Sequence, residues 1–217
     1  MSITPGFASV VIDVDSTLCG IEGIDWLADR CGPGVGHAVA AFTDQAMRGE
    51  IALDAVYGAR LALVRPTVAD VAALGEAYLA ALAPGAPDAL VRLRHASRRI
   101  VLVSGGLRDA ILPVARTLGI PDGDVHAVGV RRDPHGRFLG HDDASPLARA
   151  GGKLAVLRGL ALPPRVLAVG DGATDVEMRP AADAFAAFTG FVARPAVVAA
   201  ADGVLTSFDQ LAELVLG

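Results

Sequence analysis

Apolar positions along this chain follow two rhythms. Short β-branched runs have no polar interruption, and longer stretches repeat at helical spacing. Val10-Val11-Ile12 is the first run, and it stops abruptly at Asp13-Val14-Asp15-Ser16-Thr17. Such a run predicts a strand buried on both faces, as in a parallel sheet. From about Gly23 to Leu82 the spacing turns helical. Ile24, Leu27 and Ala28 form one apolar face, Val39, Phe42 and Ala46 a second, and Leu53, Val56, Tyr57, Leu61 and Val64 a third. Thr67, with Asp70 three residues on, makes an approximate capping box for a fourth helix through Tyr78 and Leu82. Ala83-Pro84-Gly85-Ala86-Pro87 ends this helical stretch.

Beyond it, strands and helices alternate. Arg99 to Val103 reads as a buried strand, Leu107 to Leu118 as the helix behind it, and a two-stranded excursion turns at Asp133-Pro134-His135-Gly136. Gly152 to Leu162 is predicted helical, Arg165 to Val169 is another buried strand, and Ser207 with Gln210 caps a final helix. This order predicts an α/β protein with a doubly wound, Rossmann-like parallel sheet core. The four helices without an intervening strand form an inserted helical-bundle cap. The expected division is 1–18 and 85–217 for the core and 19–84 for the cap.

Composition sharpens this picture in three ways. Hydrophobic residues make up 53% of the 217 and aromatics only 5%, so the core must be built from Ala, Leu and Val. No apolar run reaches the roughly 18 residues that span a bilayer, and Met1 to Gly6 lacks the basic start and long apolar stretch of a signal peptide. Cys19 and Cys31 make neither a disulfide framework nor a metal pattern, which suits reduced thiols in a cytoplasmic protein. The net charge of −5, with no basic stripe, argues against nucleic acid as a partner. Finally, Lys153 is the sole lysine among 19 cationic residues. A compact ammonium differs from a forked guanidinium, particularly beside phosphate and carboxylates.

Three predicted strand ends carry the chemistry, and in a parallel sheet all three open on the same edge. Asp13 and Asp15 stand where the first strand leaves the sheet, the place where ligands bind in open α/β folds. Their mutual repulsion calls for a positive partner, most simply a hard divalent cation held by oxygen. Ser104-Gly105-Gly106 follows the second strand and precedes a helix, so its backbone N–H groups and the Ser104 hydroxyl suit an anion. That tripeptide is also an ordinary strand-to-helix turn. Gly170-Asp171-Gly172-Ala173-Thr174-Asp175 brings two more carboxylates to a tight glycine turn. The full order is acid pair, hydroxyl with glycines, lysine, acid pair.

In these motifs, together with Gly151-Gly152-Lys153 and Pro180-Ala181-Ala182-Asp183-Ala184-Phe185, the chain resembles the haloacid dehalogenase-type phosphohydrolases, and among them the phosphoserine-hydrolysing branch. The resemblance covers essentially the whole chain. It implies that Asp13 is a nucleophile forming an aspartyl-phosphate, and that Asp15 protonates the leaving alkoxide and later deprotonates water. It implies Mg²⁺ held by Asp13, the backbone carbonyl of Asp15 and Asp171, with Asp175 in support. Lys153 and Ser104, with Gly105, Gly106 and Thr174 around them, are expected to hold the phosphate. Phosphoserine also carries an ammonium and a carboxylate, for which the resemblance implies Glu22 and Arg60, with Met47 as apolar packing and Arg194 nearby.

The chain departs from the family pattern in places: Leu53 and Leu107 replace aromatics, Val128-Gly129 replaces an Asn-Arg pair, and Thr174 stands where some relatives have Asn and others Thr. None removes a reactive group. They leave room for the alternative of a phosphatase or phosphotransferase acting on another small phosphomonoester. A receiver-type signalling module fits less well, because it needs neither the helical insertion nor a second aspartate two residues after the first.

Overall fold

The computed structural model describes residues 3–47 and 53–217, without the side chains of 43–47, 53 and 54. The Met47 and Leu53 side chains therefore lie outside the described residues. In chain order the elements are β1 (Ser9–Ile12), α1 (Gly23–Arg30), α2 (Pro33–Met47), α3 (Leu53–Val64), α4 (Val68–Ala80), α5 (Ala86–His95), β2 (Arg99–Leu107), α6 (Arg108–Thr117) and β3 (Val125–Val128). They continue with β4 (Val130–Arg132), β5 (Phe138–His141), α7 (Gly152–Gly159), β6 (Val166–Gly170), α8 (Ala173–Val176), β7 (Ala184–Phe188), α9 (Pro195–Ala200), β8 (Gly203–Leu205) and α10 (Phe208–Leu216).

Six strands form one parallel sheet in the order β3-β2-β1-β6-β7-β8. Every residue of β1 and β6 is buried, as their uninterrupted apolar runs require. Successive side chains face opposite sides of a strand. Val10 and Ile12 accordingly join Leu90, Ile111 and Phe208 on one face, while Val11 joins Val101, Leu157 and Val197 on the other. Helices α5, α6 and α10 thus cover one face, and α7 and α9 the other. This is the doubly wound α/β architecture expected from the alternation of elements.

The register fixes where the chemistry lies. Ile12 stands opposite Leu102 of β2 and Val169 of β6, so the carboxyl ends of three neighbouring strands come level at one edge. Between β1 and β2, α1, α2 and α3 pack on one another, and α4 lies along α6. The capping box at α4 forms in both directions: Asp70 N donates to Thr67 Oγ1 at 3.1 Å, and Thr67 N donates to Asp70 Oδ2 at 2.9 Å. Ser207 caps α10 by accepting from Gln210 N. The predicted excursion is the β4–β5 antiparallel pair, turned by Asp133 accepting from His135 N and Arg137 N.

The structure differs from expectation in several places: β7, α9 and β8 are among the elements the pattern did not mark, and some anticipated boundaries move. The Pro84–Pro87 breaker is also the start of α5, because proline is tolerated in a helix's first turn. Helix α7 stops at Gly159 instead of Leu162, since Pro163 and Pro164 favour extended backbone before them. Strand β2 runs on through the glycines to Leu107, with a register shift after Val103. Both cysteines are free, Cys19 buried and Cys31 exposed. Among the described residues, no helix is long and apolar enough to cross a membrane.

Candidate active site

Asp13 directly extends β1: its N–H donates to Val169 O of β6 at 3.0 Å, which fixes the backbone at the sheet edge. The chain then turns sharply, with Cys19 N donating back to Val14 O. The side chains of that turn are committed to neighbours. Thr17 Oγ1 donates to Asp171 Oδ1 at 3.1 Å, and Ser16 Oγ donates to Glu22 Oε1 at 2.7 Å.

Lys153 enters from the first turn of α7. A Cβ on Gly152 would lie 1.9 Å from Pro146 O, so only glycine lets this helix press against the 146–148 turn. From there the Lys153 ammonium reaches between two acids, 2.6 Å from Asp13 Oδ1 and 2.5 Å from Asp175 Oδ1. Asp175 is fully buried and is anchored through Oδ2 by Gly172 N at 2.9 Å. Burial alone would pull Lys153 down, but Asp13 and Asp175 outweigh it and hold the ammonium above its ordinary range. Burial and the charge of Asp175 push Asp13 well above the usual carboxylate value, with Lys153 opposing them. Asp15 is pushed up to about 6, chiefly by burial and then by Glu22.

Asp13, Asp171 and Asp175 offer oxygens that all lie within 4.8 Å of one another. Asp171 Oδ2 is buried and accepts no hydrogen bond. The Arg194 guanidinium abuts that oxygen without hydrogen-bond geometry, and it also donates to Asp171 O at 3.3 Å and approaches Glu22 Oε1 at 3.5 Å. Three buried carboxylates that outnumber the cations beside them, Lys153 and Arg194, are the donor set of a hard cation. The residues present therefore fit a metal ion.

A cavity of about 350 Å³ opens over this cluster. It is lined by Asp13, Asp15, Glu22, Arg60, Gly105, Gly106, Lys153, Asp171, Thr174, Asp175 and Arg194, so the structure brings together nearly all the residues picked from sequence. Ser104 is not among the lining residues. It is fully buried, and its Oγ accepts from Gly106 N at 2.9 Å, bracing the glycine turn. Arg60 reaches the cavity while paired to Asp25 at 2.6 Å, and its Nε is buried without a partner.

Among the residues of the site that the sequence did not single out are two tyrosines. Tyr57 lines the cavity and donates to Gly105 O at 2.8 Å, and Tyr78 donates to Asp15 Oδ1 at 2.6 Å. Both sit at helix-face spacing and read there as core. Rarity was the available signal: the chain has two tyrosines, and both reach the site.

The haloacid dehalogenase-like hydrolase model matches residues 10–204. The chain is 38% identical over 208 residues to the chloroplastic phosphoserine phosphatase of Arabidopsis thaliana, covering 94% of this chain and 70% of that one. It is 38% identical over 206 residues to the phosphoserine phosphatase of Bos taurus, covering 94% and 91%. A solved structure of a phospho-aspartyl intermediate analogue of phosphoserine phosphatase superposes with a TM-score of 0.75 at 25% identity, covering 93% and 94%. The chain therefore belongs to the haloacid dehalogenase-like hydrolases, an enzyme family, on the branch formed by the phosphoserine phosphatases.

Proposed function

We propose that this enzyme hydrolyses O-phospho-L-serine to L-serine and phosphate through an aspartyl-phosphate on Asp13. The observation that carries the reading is the sole lysine clamped 2.6 Å from Asp13, in a cavity that also holds Glu22 and Arg60. An ester bearing phosphate, ammonium and carboxylate matches that set of charges.

Asp13, Asp171 and the backbone carbonyl of Asp15 would hold Mg²⁺, with Asp175 in support. When bound, the ion neutralises phosphoryl charge. Lys153 holds Asp13 in place and offers its ammonium to a phosphate oxygen. Gly105 and Gly106, at the carboxyl end of β2, and Thr174 line the same cavity, while the Gly106 N–H is taken up by Ser104 Oγ. An Asp13 oxygen attacks phosphorus and the bond from phosphorus to the serine oxygen breaks. Asp15 gives its proton to the departing oxygen. Water then attacks the aspartyl-phosphate, its proton returns to Asp15, and the Asp13 carboxylate is released with phosphate. Glu22 faces the substrate ammonium and Arg60 its carboxylate, as a two-bond fork. Helices within 19–84 act as the cap over the core formed by 1–18 and 85–217.

The substrate is tested by phosphate release from phosphoserine, phosphothreonine, phosphoethanolamine and phosphoglycolate in Mg²⁺. Phosphoserine is expected to rank first by kcat/KM, and a poor rank contradicts the specificity. Arg60→Ala is expected to raise KM for phosphoserine roughly tenfold to a hundredfold, the scale of lost charge-assisted hydrogen bonds. Phosphoethanolamine, which has no carboxylate, should be little affected. An equal loss on both esters would reduce Arg60 to the partner of Asp25.

Chelation tests the metal. With EDTA, turnover should fall to background and return on adding Mg²⁺. Mg²⁺ at about a hundred times its Kd should also stabilise the fold by about 2.7 kcal/mol through mass action, seen as a higher melting temperature. Asp171→Asn should abolish that increase. Turnover indifferent to EDTA would contradict the reading.

A further inference from the structure

We propose that Tyr78, with the backbone N–H of Gly23, positions Asp15 so that one oxygen, Oδ2, both delivers and recovers the catalytic proton. The inference rests on the proposed roles of Asp13 and Asp15.

Tyr78 is fully buried in α4, and its Oη donates to Asp15 Oδ1 at 2.6 Å. Gly23, the first residue of α1, donates its N–H to the same Oδ1 at 2.8 Å. Among the described residues, the hydrogen bonds of the Asp15 carboxyl all fall on Oδ1. With two donors aimed at it, Oδ1 is the carbonyl-like oxygen of the protonated acid, because a proton there would confront both donors. The proton therefore resides on Oδ2. That oxygen faces the glycine turn that lines the cavity: a Cβ on Gly106 would stand 3.0 Å from it.

The arrangement is demanding to build. A Cβ on Gly23 would lie 2.1 Å from Tyr78 Oη, so the phenol reaches Asp15 only because residue 23 has no side chain. As the serine–phosphorus bond breaks, the Oδ2 proton moves to the serine oxygen and Asp15 becomes a carboxylate whose Oδ1 stays bound. When water attacks, only Oδ2 is free to take its proton. The hydroxyl of Tyr78 touches neither substrate nor phosphorus, so it is a positioning residue.

The test compares two leaving groups. A serine alkoxide needs a proton to depart, and a nitrophenolate does not. The kcat/KM for each ester reports steps up to phosphoryl transfer to Asp13, before water is activated. Tyr78→Phe removes one oxygen and keeps the packing. Its kcat/KM for phosphoserine is expected to fall on the order of tenfold to a hundredfold, part of what general acid catalysis contributes. The fall should lie in kcat with KM nearly constant, and kcat/KM for 4-nitrophenyl phosphate should drop much less. Gly23→Ala, which displaces the phenol, should shift the ratio of the two esters in the same direction. An unchanged ratio in Tyr78→Phe, whether both activities persist or both fall together, overturns the inference. Failure of wild-type enzyme to release phosphate from phosphoserine would instead overturn the substrate reading, and any alkyl phosphate it does accept then serves in the same comparison.

Discussion

Asp13→Asn is expected to lower kcat for phosphate release by at least about 10⁴-fold, the scale seen when a covalent nucleophile is removed. The amide keeps the shape of the acid but has no charge to attack phosphorus. The fold should survive. In the wild type, burial and Asp175 push Asp13 well above the ordinary carboxylate value, so the anion is unfavourable at this position. The asparagine removes that penalty, and Lys153 retains Asp175 at 2.5 Å. Without metal, the melting temperature should therefore match or exceed that of wild type. A single-turnover assay with phosphoserine checks the chemistry and thermal unfolding in EDTA checks the fold. Substantial residual turnover would contradict the nucleophile assignment.

Lys153→Met should damage both function and stability. Lys153 is only 6% exposed, and removing its ammonium leaves Asp13 and Asp175 facing each other in the interior. Breaking a buried pair by removing one partner costs about 3–5 kcal/mol. The loss of a cation aimed at developing charge should lower kcat by a further 10²–10³-fold or so. The pH dependence has a definite sign. Lys153 is held above its ordinary value of 10.5, so its stabilising contribution is complete below that pH and fades only above it. The deficit is thus fully present at neutral pH. The raised value of Asp13 means the folded state binds a proton more tightly than the unfolded chain. As pH falls from 7 towards the ordinary carboxylate value of 3.8, that acid neutralises and the variant's deficit should shrink. Urea unfolding in EDTA at pH 7 and pH 5 measures both effects. A deficit below about 1 kcal/mol, or one that grows on acidification, would show that Lys153 does not hold these acids together.

Several parts of the fold were legible because their signals are local. The runs ending at Asp13 and Gly170 read as buried strands, and both are. Thr67 and Asp70 announced a capping box that forms in full. Strand β7 was harder: Ala184-Phe185-Ala186-Ala187-Phe188 is rich in a helix-favouring residue, and its place inside the sheet overrides that preference. The first turn of α5 was hidden because prolines that end one helix also begin another.

Within the site, strand-end acids, glycine turns and a lone lysine were visible because their types and spacing are unusual on their own. Tyr57 and Tyr78 were not, since an aromatic on a helix face reads as core until its hydroxyl is seen to find a partner. Arg60 was identified without its partner Asp25, and Ser104 without its role in bracing Gly106.

The amino-acid order by itself determined the kinds of elements and the supply of reactive groups, because periodicity and turn chemistry act over a few residues. Only the tertiary structure decided which charges meet. Lys153 lies between Asp13 and Asp175, Arg194 reaches both Glu22 and Asp171, and Tyr78 crosses 63 positions to Asp15. Those meetings depend on strand register and on the angles at which helices cross the sheet. Both are set by the packing of the whole core, so no local stretch of sequence encodes them.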